Sequence, residues 1–137
     1  MKKHNNNNNQ PGTLKIIPLG GLGEVGANMM VYEYDNQILV VDTGLMFPEN
    51  DMLGIDYIIP DMSYLIARKN KVKGIVITHG HEDHTGALPF LLKEFSVPVY
   101  GTRLTLGLVK EKLREHNLEY AELVPVMPRD VVHIGAF

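Results

Sequence analysis

Apolar and polar positions alternate or cluster in short runs along most of the chain, and the runs predict a mixed set of elements. Leu14 to Leu19 predicts a first strand. Met29 to Tyr34 and Gln37 to Asp42 are rich in aromatic and β-branched residues and flank Asp35-Asn36, the pattern of a β-hairpin with a two-residue turn. Asp61 stands where an N-cap would open a helix through Met62 to Arg68. Gly74-Ile75-Val76-Ile77 is short, apolar and β-branched, and predicts a buried strand. Ala87 to Phe95 predicts a helix with Pro89 in its first turn, where a missing N–H costs nothing. Val97 to Tyr100 predicts another strand, closed by Gly101. Thr102 or Thr105 then caps a helix to about Asn117, with an apolar stripe of Leu104, Leu108, Val109 and Leu113 and with Lys110, Glu111, Arg114 and Glu115 facing water. Leu123 to Val126 and Val131 to Ile134 predict two last strands around Pro128-Arg129-Asp130, with His133 facing solvent. The order is strands, then βαβα, then strands: an α/β chain.

Composition narrows this little. The 137 residues suffice for one domain and a sizeable core, and the apolar fraction of 45% is ordinary for a globular protein. No apolar run approaches the ~18 residues of a membrane span. Lys2 and Lys3 lead into polar residues and not into the apolar stretch of a signal peptide. Residues 1–12, with the run Asn5 to Asn9, predict a disordered tail, and His4 within it is expected to face solvent. Without cysteine there are neither disulfides nor thiolate ligands. The expected location is the cytoplasm, with no membrane partner. A net charge of −3 argues against a generally basic nucleic-acid surface but leaves room for a local channel. The cluster Arg68, Lys69, Lys71 and Lys73 reads as helix-end charge and a solvated turn.

One stretch carries chemistry. Thr78-His79-Gly80-His81-Glu82-Asp83-His84-Thr85-Gly86 holds four good metal ligands, His79, His81, Asp83 and His84, on a loop between the predicted strand and the predicted helix. His79 and His81 lie two apart, so in extended backbone they point to one side and can grip one ion. Asp83 and His84 follow a turn and can face a second ion. Imidazole with carboxylate and no sulfur suits Zn2+, and manganese or iron also. Two ions about 3.5–4 Å apart can hold a hydroxide and stabilise displacement at phosphorus. His116, at a helix end, reads as a surface residue.

A second motif is a decoy. Gly21, Gly23 and Gly26 satisfy G-x-G-x-x-G after a strand, with Asp42 further on, which matches a dinucleotide-binding fingerprint. That fingerprint needs a helix after Gly26, and the sequence gives the hairpin instead.

His79-x-His81-x-Asp83-His84 at a strand end resembles the signature of the metallo-β-lactamase fold. With the glycine-rich stretch Gly20 to Gly26 and the stretch Leu45 to Asp56, the chain from about Leu14 onward is similar to the bacterial ribonuclease J family of β-CASP nucleases. The resemblance implies half of an αββα sandwich: an N-terminal part of the metallo-β-lactamase domain over residues 13–137, without the β-CASP clamp. It implies a zinc-dependent hydrolase that cleaves RNA by 5′-to-3′ exonuclease and endonuclease action in RNA maturation and decay. Each active site would take two zinc ions, manganese being an alternative. His79 and His81 would bind one ion and Asp83 and His84 the other, Asp83 also positioning the attacking hydroxide as a catalytic residue. Asp42, otherwise readable as a turn aspartate, takes the place of the aspartate that orients the metal-binding loop without touching the metals. Glu82 is not a ligand in the family, and the glycine-rich loop lies near the metals. The remaining ligands would lie beyond Phe137, so the fragment is expected to be inactive, to bind metal weakly, and to expose an apolar sheet face. The parent would bind RNA and form a dimer, a tetramer or an RNA-decay assembly. Two rivals remain: a hydrolase of the same fold acting on a thioester, lactone or β-lactam, and a non-catalytic paralogue within an RNA-decay assembly.

Overall fold

A computed structural model describes residues 12–137; the expected tail, with His4 and Asn5 to Asn9, lies almost wholly outside the described residues. Among the described residues, six strands form one sheet in chain order: β1 (Lys15–Gly20), β2 (Met29–Tyr34), β3 (Gln37–Val41), β4 (Val72–Val76), β5 (Val99–Gly101) and β6 (Leu123–Pro125). The first three are antiparallel neighbours and the last four run parallel. The β2–β3 hairpin turns on Asp35 and Asn36 at φ of 47° and 59°, the left-handed pair that a two-residue turn needs. The parallel strands require crossovers, and these carry α1 (Ser63–Ile66), α2 (Glu82–Thr85), α3 (Leu88–Glu94) and α4 (Arg103–Glu115).

The register puts Val31, Val40, Ile75 and Val99 on one face of the sheet. That face packs against Leu65 of α1, Leu88 and Leu91 of α3, and Val109 and Leu113 of α4 in a single buried cluster. Each such side chain contributes roughly 1.5–3 kcal/mol by leaving water. Glu33 shares this face at only 4% exposure and is held by the Tyr64 hydroxyl and the Lys15 ammonium. The other face carries Tyr32, Leu39, Val76 and Tyr100, all half-buried, and Ile16, which is exposed. The described residues therefore build one sheet and one helical layer, two of the four layers of the expected sandwich. Among them no helix is long and apolar enough to cross a membrane.

Four local expectations need correction. Val131 to Ile134 is not a strand: Ile134 packs beside Gly74 and the backbone N–H of Ala136 donates to Gln37 Oε1, so the segment crosses the open face instead of extending the edge. The first helix is only Ser63–Ile66, with Met62 and not Asp61 in the N-cap place; Asp61 accepts from Ser63 N–H and Oγ just ahead of it, and past Ala67 the chain passes into a short 3-10 segment, Lys69–Lys71. The buried stripe of α4 is Thr105, Leu106, Val109 and Leu113; Leu104 and Leu108 are exposed. Its cap is Thr102, whose hydroxyl accepts from Thr105 N–H. Lastly, Asp83 and His84 lie on a helical turn, α2, and not on a loop.

Candidate metal centre

The four ligand candidates gather where β3 and β4 end side by side. After Val76 the ladder continues one residue, Ile77 N–H donating to Tyr100 O at 2.8 Å, and then releases Thr78 to His81. A helix of four residues cannot stand alone, since nucleation is costly. α2 is held by its neighbours: the carbonyls of Glu82, Asp83 and His84 accept from the N–H groups of Leu45, Asn28 and Thr43 at 3.1, 3.1 and 2.8 Å. Glu82 O also takes the closing bond of the helix, from Gly86 N–H at 2.8 Å, whereas the carbonyls of Asp83 and His84 are ones a short helix leaves unsatisfied; the segments after the glycine-rich loop and after β3 satisfy them. The approach is close. A Cβ on Gly44 would fall on the carbonyl of Asp83, so glycine is required there. Gly21, Gly23 and Gly26 have φ of 86°, 72° and 102°, and lead straight into β2. The dinucleotide fingerprint thus lacks its helix, and the glycines serve to bend the loop against the site.

Asp42 lies just past β3 with φ of 62° and is 6% exposed. Its Oδ1 accepts from Thr78 N–H at 2.8 Å, the Thr78 hydroxyl lies 2.8 Å from Oδ2, and His84 Nδ1 lies 2.7 Å from Oδ2. A carboxylate accepts, so His84 carries its proton on Nδ1 and turns the lone pair of Nε2 to the other side.

On that other side the donor atoms form two pairs. His79 Nε2 is 3.2 Å from His81 Nδ1, and His84 Nε2 is 3.5 Å from Asp83 Oδ2. The pairs adjoin, since the rings of His79 and His84 are 4.1 Å apart between centroids. Ligand atoms of His79, Asp83 and His84 fall within 4.8 Å of one another; His81 joins through His79 and is exposed. A tetrahedral zinc bound at 2.0–2.1 Å places neighbouring ligand atoms about 3.3–3.4 Å apart. Both separations fit that edge; the first pair offers two imidazole nitrogens and the second an imidazole nitrogen and a carboxylate oxygen, all donors that zinc accepts. The residues present, with His79, Asp83 and His84 at the centre, suit the binding of a metal ion.

Asn28 was not among the residues singled out from the sequence. Its Nδ2 lies 3.1 Å from Asp83 O, 3.4 Å from Asp83 Oδ2 and 3.3 Å from His84 Nε2. All three are acceptors, so the amino group faces them. The signal in the sequence was one polar residue at the entry of an apolar strand, directly after the glycine-rich loop. Glu82 points away: both its oxygens bind Lys112 Nζ, at 2.5 and 2.7 Å, and tie the motif to α4. His116 packs edge-on against Phe90, and His133 is exposed; neither approaches the centre. A groove lined by Val25, Met46, Phe47, His81 and Asp83 leads up to it.

A family model, Metallo-beta-lactamase superfamily, matches residues 22–136. The chain is 49% identical over 130 residues to Ribonuclease J of Synechocystis sp., covering 93% of the chain and 20% of that protein. It is 55% identical over 117 residues to Ribonuclease J2 of Bacillus subtilis, covering 85% and 20%. The chain spans about a fifth of the length of these curated relatives. Among solved structures, a diphosphatase from the PhnP family superposes with a TM-score of 0.51 at 21% identity, over 80% of this chain and 41% of that one, a likeness of fold.

Proposed function

The chain belongs to the metallo-beta-lactamase superfamily, and on that premise we propose that it is the N-terminal part of the catalytic domain of a metal-dependent ribonuclease of the ribonuclease J type. Identity near 50% over most of the chain favours that reading over a thioester, lactone or β-lactam hydrolase. In it, His79 and His81 hold one cation and Asp83 and His84 the other, zinc being the expected metal. Bound cations would supply Lewis-acid stabilisation of the charge that builds on a phosphodiester under attack. Asp42 keeps His84 turned toward its cation, and Asp83 orients the attacking water. The groove beside His81 gives the RNA strand a way to the centre. Further ligands and an RNA clamp would come from chain beyond Phe137, which would also cover the half-open sheet face. Exonuclease and endonuclease action both belong to this proposal.

The observation that carries it is the pair of donor separations, 3.2 and 3.5 Å, backed by a buried carboxylate. The test is elemental analysis of the full-length protein together with RNA hydrolysis. Two equivalents of metal, hydrolysis lost on His81→Ala, and no hydrolysis by the 137-residue chain alone are expected. Full-length protein that is metal-free as purified, and hydrolyses RNA undiminished in chelator, would sink the reading.

A further inference from the structure

Thr78 stands directly before the first motif histidine, and its hydroxyl touches three polar atoms. Oγ1 lies 3.0 and 2.8 Å from the two oxygens of Asp42, and 3.0 Å from Nδ1 of His79. A hydroxyl gives one proton and can accept elsewhere, whereas an ionised carboxylate only accepts. The proton of Thr78 therefore goes to Asp42, and its oxygen is left to accept Nδ1–H of His79. His84 meets the same carboxylate directly, at 2.7 Å. Two imidazoles from different pairs thus lean on one buried carboxylate, one at first hand and one through a hydroxyl.

We infer that Thr78 is a positioning residue: its hydroxyl extends the hold of Asp42 from His84 to His79, so that a single carboxylate sets the tautomer of one histidine in each pair. This rests on the two-pair reading above. The consequence is that both rings keep Nε2 unprotonated and turned toward the centre. His79 has the greater need of such a hold. It sits on the free stretch between β4 and α2, whereas His84 is fixed by its helical turn. Loss of the hydroxyl leaves the backbone of the loop in place, because Thr78 N–H donates to Asp42 Oδ1 at 2.8 Å independently of the side chain. Only the aim of the His79 ring is lost, its Nδ1 then exchanging partners with water.

The test compares wild type, Thr78→Val and Thr78→Ser in the full-length protein. Zinc is withdrawn by a competing chelator, the unfolding midpoint is recorded, and the ring nitrogens of the metal-free proteins are read by 15N NMR. Thr78→Val should release one of the two ions at least about tenfold more readily, within the range that loss of such outer partners produces. The other ion should stay and the midpoint should hold. His79 should be protonated on Nδ1 in wild type and Thr78→Ser, and mixed between its nitrogens in Thr78→Val. Thr78→Ser should restore zinc retention. Zinc release and ring protonation unchanged in Thr78→Val would overturn the inference. So would Thr78→Ser failing as Thr78→Val does, or loss of both ions along with the midpoint. Should wild type take up no zinc, the proposed function falls, and the NMR comparison still decides the role of Thr78.

Discussion

Oδ2 of Asp42 and Nδ1 of His84 lie 2.7 Å apart although 42 positions separate them in the chain. The aspartate reaches this place in a left-handed conformation, φ 62°, which asparagine tolerates nearly as well. Asp42→Asn therefore removes the charge and keeps the backbone. An amide in that position offers a donor group toward atoms that now donate to it, and His84 loses the partner that keeps its proton on Nδ1. Zinc affinity of the full-length protein should fall about 10–100-fold, as measured by chelator competition. Unchanged affinity would remove Asp42 from the site.

Gly44 and Gly107 give opposite expectations for the same substitution. A Cβ on Gly44 meets the backbone of both Asp83 and Asn28, neither of which can yield without dismantling α2. Gly44→Ala should cost about 3 kcal/mol, the upper end of ordinary overpacking, or prevent folding. Gly107 lies within α4 with nothing near its would-be Cβ. Gly107→Ala should stabilise by roughly 0.5–1 kcal/mol. Denaturant unfolding of the two variants measures both, and a stable Gly44→Ala would mean that the motif is not packed as described.

Much of this site was legible because its chemistry and its scaffold are both local. Three histidines and an aspartate within six positions are a donor set that suits a cation, and the structure brings the ligand atoms of His79, Asp83 and His84 within 4.8 Å of one another. The hairpin was legible for a similar reason: Asp35 and Asn36 tolerate the left-handed turn that the flanking alternation demands. What failed was whatever depends on distant neighbours. Val131 to Ile134 alternates as a strand does, but its place over Gly74 is set by a sheet face that the segment cannot announce. Periodicity alone could not tell whether Leu108 or Leu106 faces the core. Leu106 is 6% exposed, while Leu108 lies out over Gly80. The resemblance to a known family carried the role expected of Asp42, which spacing left as a turn residue. Asn28 escaped notice because its partners lie 55 and 56 positions away.

The pair Glu33 and Tyr64 makes stability depend on pH at both extremes. Burial raises the Tyr64 phenol, and the Glu33 carboxylate that accepts its hydrogen bond raises it further, to about 12 from an ordinary 10.0. A folded-state value above the unfolded one means stability that is whole below pH 10 and drains away between about 10 and 12. Glu33 behaves in the opposite sense. Burial pushes its carboxyl up, but the Tyr64 hydroxyl and the Lys15 ammonium outweigh that and leave it below its ordinary 4.5. Its contribution is present above 4.5 and lost as pH falls through the lower folded value. Tyr64→Phe should cost about 1–2 kcal/mol at neutral pH, since the carboxylate loses one of its partners. It should also flatten the alkaline limb. Unfolding midpoints from about pH 2 to pH 12 check both limbs against the neutral value.

Asn28 offers the sharpest test of how the centre is assembled. Its backbone is committed on both sides: N–H to Asp83 O at 3.1 Å, and C=O to Gly44 N–H at 2.8 Å. Those bonds survive substitution. The side chain adds Nδ2 against Asp83 O, Asp83 Oδ2 and His84 Nε2. A cation at the second pair would take the lone pair of Nε2, so that contact must break on loading, whereas the contact to the Asp83 carboxylate can remain. Two effects of Asn28→Ala then oppose each other. Removing the donor frees His84 Nε2, which favours binding; releasing the Asp83 carboxylate from its aim disfavours it. The second should win, because a ligand oxygen free to rotate pays its ordering cost on binding. Zinc affinity of the full-length protein at the second pair should fall about tenfold, with the first pair and the unfolding midpoint little changed. Asn28→Asp distinguishes the causes: it replaces a donor by a charge beside Asp83 and should leave Asp83 repelled but attract the cation. Chelator competition on both variants reads the outcome. If Asn28→Ala binds more tightly than wild type, the amide is a placeholder at Nε2 and not a support for Asp83.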